Sequence, residues 1–167
     1  MIWSPRPDSN RGPFPYQGNA LPPELRGRAQ SDFICYIVRV RITPTVDEVV
    51  ERARRRLRRV TAQQAAAELA DGALLVDTRT PEQRTRDGEI PAALVIDRTV
   101  LEWRLDPSSQ SRVPEAKDHE IRVIVICAEG YSSSLAAASL QDLGLVNATD
   151  VIGGFLAWQA AGLPVKR

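Results

Sequence analysis

Cysteine, histidine and methionine are scarce: the 167 residues hold two, one and one of them. Cys35 and Cys127 lie far apart in unlike surroundings. Two such residues exclude a disulfide framework and make a reducing compartment the better expectation. His119 stands alone in a polar loop with no ligand partners nearby, so no metal is expected. Neither charge sign prevails: 22 basic residues face 21 acidic ones for a net charge of +1. Overall charge therefore points to no nucleic-acid and no membrane partner. Long hydrophobic runs are missing too. The longest near the N-terminus, residues 33–38, is far too short to cross a bilayer. No stretch has the charged, apolar and cleavage-site order of a signal peptide. The expectation is a cytoplasmic protein. What is present is a hydrophobic fraction of 43%, enough for one core plus an appendage.

Composition shifts along the chain. Residues 1–30 carry half of the twelve prolines and few aliphatic side chains, without alternation or helical spacing. Such a segment does not bury enough surface to offset its ordering entropy. Residues 1–45 are read as a disordered extension. A second reading stays open: the string from Arg6 to Gly27 resembles a transfer-RNA gene translated by mistake, which would put the true start downstream. Residues 31–43 alternate loosely enough for an edge strand, and Cys35 within them is read as a small apolar residue without a role. Residues 46–167 are read as the folded domain, opening with a basic helix.

That helix is expected over 46–60, where apolar residues at 46, 49, 50, 53, 57 and 60 recur at helical spacing. Asp47 and Glu48 in its first turn and arginines in its last suit the helix dipole. Arg52, Arg54, Arg55, Arg56, Arg58 and Arg59 make one face basic. With no aromatic residue interleaved for base stacking, this is read as a solvated face rather than a nucleic-acid patch. Thr61 and Gln64 form a capping box for a second helix that stops at Asp71-Gly72. Strands follow at 73–76, 94–96, 123–126 and 149–152. Helices are expected from Pro81, over 99–105, after Ser133 or Ser134 as N-cap, and after Gly153-Gly154. Residues 106–120 are read as a surface loop. Short strands alternating with helices call for an α/β fold with a parallel sheet. Sites in such sheets lie beyond the carboxyl ends of the strands, where Asp77, Arg79 and Cys127 fall.

The stretch 122–138 concentrates the chemistry. A β-branched run buried on both faces ends at Cys127, and a short loop with Gly130 leads into an alanine-rich helix. Helix-terminal N–H groups and the dipole stabilise an anion there, so the thiol should have a lowered pKa and react as a thiolate.

Four motifs together resemble the rhodanese (sulfurtransferase) family over about residues 60–165. They are Asp77-Thr78-Arg79, the turn from Gly88 to Ala93, the loop from Cys127 to Ser133, and the closing run from Val151 to Trp158. Each is weak alone; in this order and spacing they are specific. The resemblance implies a single-domain, rhodanese-like three-layer α/β fold around a mainly parallel five-stranded sheet. It implies a sulfurtransferase that carries a sulfane sulfur as a Cys127 persulfide from a donor such as thiosulfate to a thiol or cyanide. Ala128, Glu129, Gly130, Tyr131, Ser132 and Ser133 would form the active loop. Gly130 permits its curl, the serines donate to sulfur or cap the helix, and Tyr131 lies at the mouth, shaping acceptor choice.

The departures are informative. Many family members have a basic residue in this loop, and here there is Glu129, whose charge should repel thiosulfate and raise the Cys127 pKa. Glu89 and Ala92 replace the usual histidine and glycine of the turn, and Arg84 stands where an aromatic is often found. Arg79, Arg84 and Arg104 are candidates to supply the missing charge. The plainer roles are a salt bridge for Arg79 and stacking on Trp103 for Arg104. A phosphatase of related fold needs an arginine six positions after the cysteine, and Ser133 is there instead. The rival to an enzyme is a non-catalytic rhodanese-like module that binds a partner or senses oxidation.

Overall fold

The computed structural model describes residues 43–166. The expectations for residues 1–42, including the strand over most of 31–43 and the role of Cys35, lie outside the described residues. Among these, no helix is long and apolar enough to cross a membrane.

Helix α1 (Val46–Arg56) starts at Thr45, whose side chain accepts from the Glu48 amide while the Glu48 carboxylate accepts from the Thr45 amide. It buries Val50 and Ala53. The expected helix to residue 60 is shorter: Leu57 turns extended, and Val60 joins the sheet by a single parallel bridge to Val151. The spacing at 57 and 60 reflects burial, not helix. Leu57 still fills the core, but the backbone has left the spiral to reach a sheet edge. Helix α2 (Ala62–Ala70) has the expected capping box of Thr61 and Gln64 and ends at Asp71.

Strand β1 (Leu74–Asp77) leads to α3 (Pro81–Asp87), which has Pro81 at its first turn and Thr80 as its cap. Then come β2 (Leu94–Val95), a 3-10 turn (Arg98–Val100) and α4 (Leu101–Leu105). Strand β3 (Val123–Ile126) precedes α5 (Ser132–Asp142), and β4 (Thr149–Asp150) precedes α6 (Gly154–Ala160). The sheet has the order β2-β1-β3-β4 and every pairing is parallel. Among the described residues the sheet has four strands, not the five expected. Beside β4 they contribute only Val60, held by Val60 N–H to Asp150 O and Ile152 N–H to Val60 O.

Alternation in the two central strands sorts the core into two layers. Val76, Val123 and Val125 pack with Ala136, Ala137 and Leu140 of α5, Leu101 and Leu105 of α4, and Leu57. Leu75, Ile124 and Ile126 point the other way, to Ala62 and Ala65 of α2 and Phe155 and Trp158 of α6. Strand β3 is buried throughout, as its β-branched run predicts. Residues 106–120 are turns rather than strand or helix, yet not wholly a surface loop: Val113 and Ala116 anchor them in the first layer.

Leu140 is fully buried and Val146 is exposed. Leu140→Ala should cost about 2–5 kcal/mol in urea unfolding, while Val146→Ala should change stability by under about 0.5 kcal/mol. Similar costs for both would contradict this layer assignment.

Candidate active site

Cys127 follows directly on β3, at its carboxyl end, and is 6% exposed. Its sulfur is not sealed in apolar packing. The amides of Gly130 and Ser133 donate to Sγ at 3.2 and 3.4 Å, and the Ser133 hydroxyl lies 3.2 Å away. Burial pushes the thiol pKa up, but the hydroxyls of Ser132 and Ser133 and the main chain at Ser133 and Glu129 outweigh it, and the net shift is downward. This reverses the rise expected from Glu129: its side chain is exposed to solvent, and its main chain lowers the thiol.

The expected cap is also corrected. Neither Ser133 nor Ser134 is the N-cap of α5; both lie in its first turn, and Tyr131 precedes the helix without a side-chain capping bond. The sulfur of Cys127 accepts from a first-turn amide in place of a cap. That frees the serine hydroxyls to turn inward. Ser133 Oγ and Ser134 Oγ donate to Asp150 Oδ2 at 3.2 and 2.8 Å.

Loop carbonyls find partners on the outside. Cys127 O accepts from Phe155 N at 2.8 Å and Ala128 O from Leu156 N at 3.1 Å, so two orphan amides of α6 are satisfied by the loop. Gly130 O accepts from Arg54 Nη2 at 3.0 Å and Arg59 Nη2 at 3.2 Å. Close backbone approach explains the glycines. A Cβ on Gly154 would stand 2.5 Å from Cys127 O, and one on Gly130, at φ +78°, would stand 2.8 Å from Gly153 N.

Asp77 and Arg79 form a buried ion pair, with Arg79 Nη2 2.7 Å from Asp77 Oδ2 and 2.9 Å from Gly88 O. The Arg79 guanidinium lies 3.5 Å from the centroid of the Phe155 ring. Its one buried nitrogen without a conventional partner, Nη1, belongs to this stacked group. The pair thus braces α6, which in turn holds the loop. It does not present its charge to Cys127. Arg84 donates to the Arg79 carbonyl, and Arg104 donates to Ser111 O at 2.7 Å. Among the described residues the cation–π contacts involve Arg54 and Arg79, not Arg104 with Trp103. Tyr131 is 54% exposed, with Arg54 5.0 Å from its ring centroid.

Three residues escaped the sequence reading. Asp150 is fully buried, and Arg59 grips it by two bonds of 2.7 and 3.0 Å. Arg54 and Arg59 belong to the run read as a solvated face. Most of that run is exposed, but these two are turned toward the loop. No motif marks them; the only signal was a β4 aspartate in an otherwise apolar setting.

The comparisons with known proteins converge on this region. The family model described as "Rhodanese-like domain" matches residues 61–161. An Allochromatium vinosum protein named sulfurtransferase is 34% identical over 92 residues, 55% of this chain and 77% of its own. The thiosulfate sulfurtransferase GlpE of Pseudomonas entomophila is 33% identical over 103 residues, 62% of this chain and 85% of its own. A solved Rhodopseudomonas palustris structure, described as of unknown function and a possible tyrosine phosphatase, is 33% identical with a TM-score of 0.68. It covers 75% of this chain and 96% of its own. With the family model matched over more than half its length, this chain belongs to the rhodanese-like domain family.

Proposed function

We propose that the protein is a sulfurtransferase in which Cys127 carries a sulfane sulfur as a persulfide. The observation that carries this reading is the pair of main-chain amides converging on a thiol at the carboxyl edge of a parallel sheet. Sulfurtransferase names among the relatives support it.

Once the thiol proton has passed to solvent, the Cys127 thiolate attacks the outer sulfur of thiosulfate. The donor's S–S bond breaks and sulfite leaves with the bonding pair, so Cys127 carries S–S⁻. A thiolate acceptor, or cyanide in the assay, then attacks that outer sulfur. It departs as a persulfide or as thiocyanate, and Cys127 returns as thiolate. Negative charge is conserved through both steps, so one set of donors serves thiolate and persulfide alike. The active loop in this reading is Ala128, Glu129, Gly130, Tyr131, Ser132 and Ser133. Asp77 and Arg79 support it through α6, while Arg84 and Arg104 brace neighbouring loops. No cofactor is needed, and a reducing cytoplasmic setting keeps the thiol free.

Phosphatase chemistry fits poorly. Ser133, six positions after Cys127, is fully buried with its hydroxyl on Asp150, and it brings no guanidinium to clamp phosphate.

Incubation with thiosulfate and cyanide should yield thiocyanate, and thiosulfate alone should add one sulfur to Cys127 by mass spectrometry. Both signals should vanish in Cys127→Ser. A folded, alkylatable protein that takes sulfur from none of a panel of donors would overturn the enzyme reading in favour of a binding or redox-sensing module.

The lowered thiol pKa sets a pH dependence. Alkylation of Cys127 should stay fast as pH falls below the free-thiol value of about 8.5, and slow only below the depressed midpoint. A midpoint at or above that value would contradict the amide cradle. Glu129→Arg should raise kcat/KM for thiosulfate about three- to tenfold by replacing repulsion with a charge-assisted hydrogen bond. Unchanged kinetics would show that the exposed side chain does not meet the donor.

A further inference from the structure

We propose that Arg54 and Arg59, which precede the matched family domain, are positioning residues of the Cys127 loop that hold the Gly130 carbonyl on its outer side. The inference rests on the reading of Cys127 as the reactive group. It assigns α1 to the active site rather than to an appendage.

The geometry is specific. Arg54 Nη2 and Arg59 Nη2 reach the same carbonyl oxygen at 3.0 and 3.2 Å, across 76 and 71 residues of sequence. Each guanidinium is anchored by a second contact. Arg59 is locked on buried Asp150, and Arg54 lies over Tyr131 with Nε 3.4 Å from Ser134 Oγ. The two side chains are 16% and 23% exposed, so water competes weakly for them. The helix face around them is different: Arg55 is exposed, and Arg56 pairs with Asp142 at the surface.

Gly130 is where a clamp is needed. With φ +78° and no side chain, its following peptide is the one in the loop freest to rotate. In a trans peptide the carbonyl and the next N–H point in opposite directions. The two guanidiniums on Gly130 O, with the Ser134 hydroxyl 3.1 Å from the same oxygen, therefore fix it outward and the Tyr131 N–H the other way. Rotation would turn a partial negative charge toward the side now holding N–H groups, against an anionic sulfur. The clamp also places two guanidiniums behind a loop that has no basic residue of its own, each paired with a carboxylate: Arg54 with Glu51 at 2.9 Å and Arg59 with Asp150 at 2.7 Å. The charged groups around the loop are then Arg54 and its partner Glu51 from α1, Arg59 beside that helix, Asp150 from β4, Glu129 in the loop, and the closed Asp77–Arg79 pair.

The test measures the pH midpoint of Cys127 alkylation by iodoacetamide in the full chain, with Cys35 replaced by serine throughout. Arg54→Met keeps the aliphatic stem but removes one of the two guanidiniums on Gly130 O, and should raise the midpoint by roughly 0.5–1 pH unit. Arg54→Lys, retaining charge and a donor, should recover at least half of that shift. Arg55→Met removes the same charge from the same helix without touching the loop and should not move the midpoint. An unmoved midpoint in a folded Arg54→Met protein, or an equal shift in Arg55→Met, would overturn the proposal. If Arg54→Met melts early, Arg54→Lys and Arg54→Gln compared at a temperature where both are folded decide it: a shift in Gln but not Lys supports the clamp, and none in either overturns it. The readout needs no sulfur transfer. A wild-type protein inactive on every donor would sink the enzyme reading and leave this result standing, while an active one with an unmoved midpoint would do the reverse.

Discussion

Three carbonyl oxygens of one short loop are held away from its cysteine, and the site depends on that. Cys127 O and Ala128 O meet the first free amides of α6, and Gly130 O meets two guanidiniums. With those oxygens engaged elsewhere, amides are left to face the sulfur, as those of Gly130 and Ser133 do. A helix needs partners for its first amides, and a nucleophile loop needs its carbonyls turned out. Docking α6 against the loop meets both needs with the same bonds. It requires backbone to touch backbone, hence glycine at 130 and 154, where a side chain would strike main-chain atoms.

Beneath the loop a buried carboxylate ties the elements together. Asp150 accepts from Arg59 twice and from Ser133 and Ser134. A fully buried charge is costly unless paired and hydrogen-bonded, and these donors meet that condition. The consequence for Cys127 is indirect. The Ser133 hydroxyl has one proton, and Asp150 orients it, so the position of the hydroxyl beside Sγ is set from below. Strand β4, only two residues long, matters chiefly because it delivers this carboxylate.

Local chemistry was legible in the sequence and long-range chemistry was not. The capping box at Thr61, proline at the start of α3, the buried run of β3 and the cysteine at its end each depend on neighbours within a few residues. The serines of α5 looked like caps by the same local logic. They are not, because Sγ of Cys127 takes an amide and Asp150, 16 or 17 residues onward, takes the hydroxyls. Arg54 and Arg59 looked like a solvated face because their spacing fits one. Only tertiary contact shows that a helix may be basic on two sides, one toward water and one toward a carbonyl more than 70 residues away. Among the described residues the sheet stops at four strands, and Val60 shows a related effect. Val60 has the pairing of a strand but not its length, and a single bridge has no periodicity to read.

The placement of positive charge separates two tasks that a basic loop residue would combine. A guanidinium inside the loop would both favour an anionic sulfur and grip the oxygens of an anionic donor. Arg54 and Arg59 stand behind the backbone, with nitrogens committed to Gly130 O and to one carboxylate each, Glu51 and Asp150. From there their field still acts on the loop dipoles, since both side chains are largely shielded from water. Their hydrogen bonds, however, are spent on the protein, and the loop's own exposed side chains include a carboxylate at Glu129 and a ring at Tyr131. Anion stabilisation at Sγ is therefore left to the amides of Gly130 and Ser133, while the guanidiniums hold the backbone that presents them.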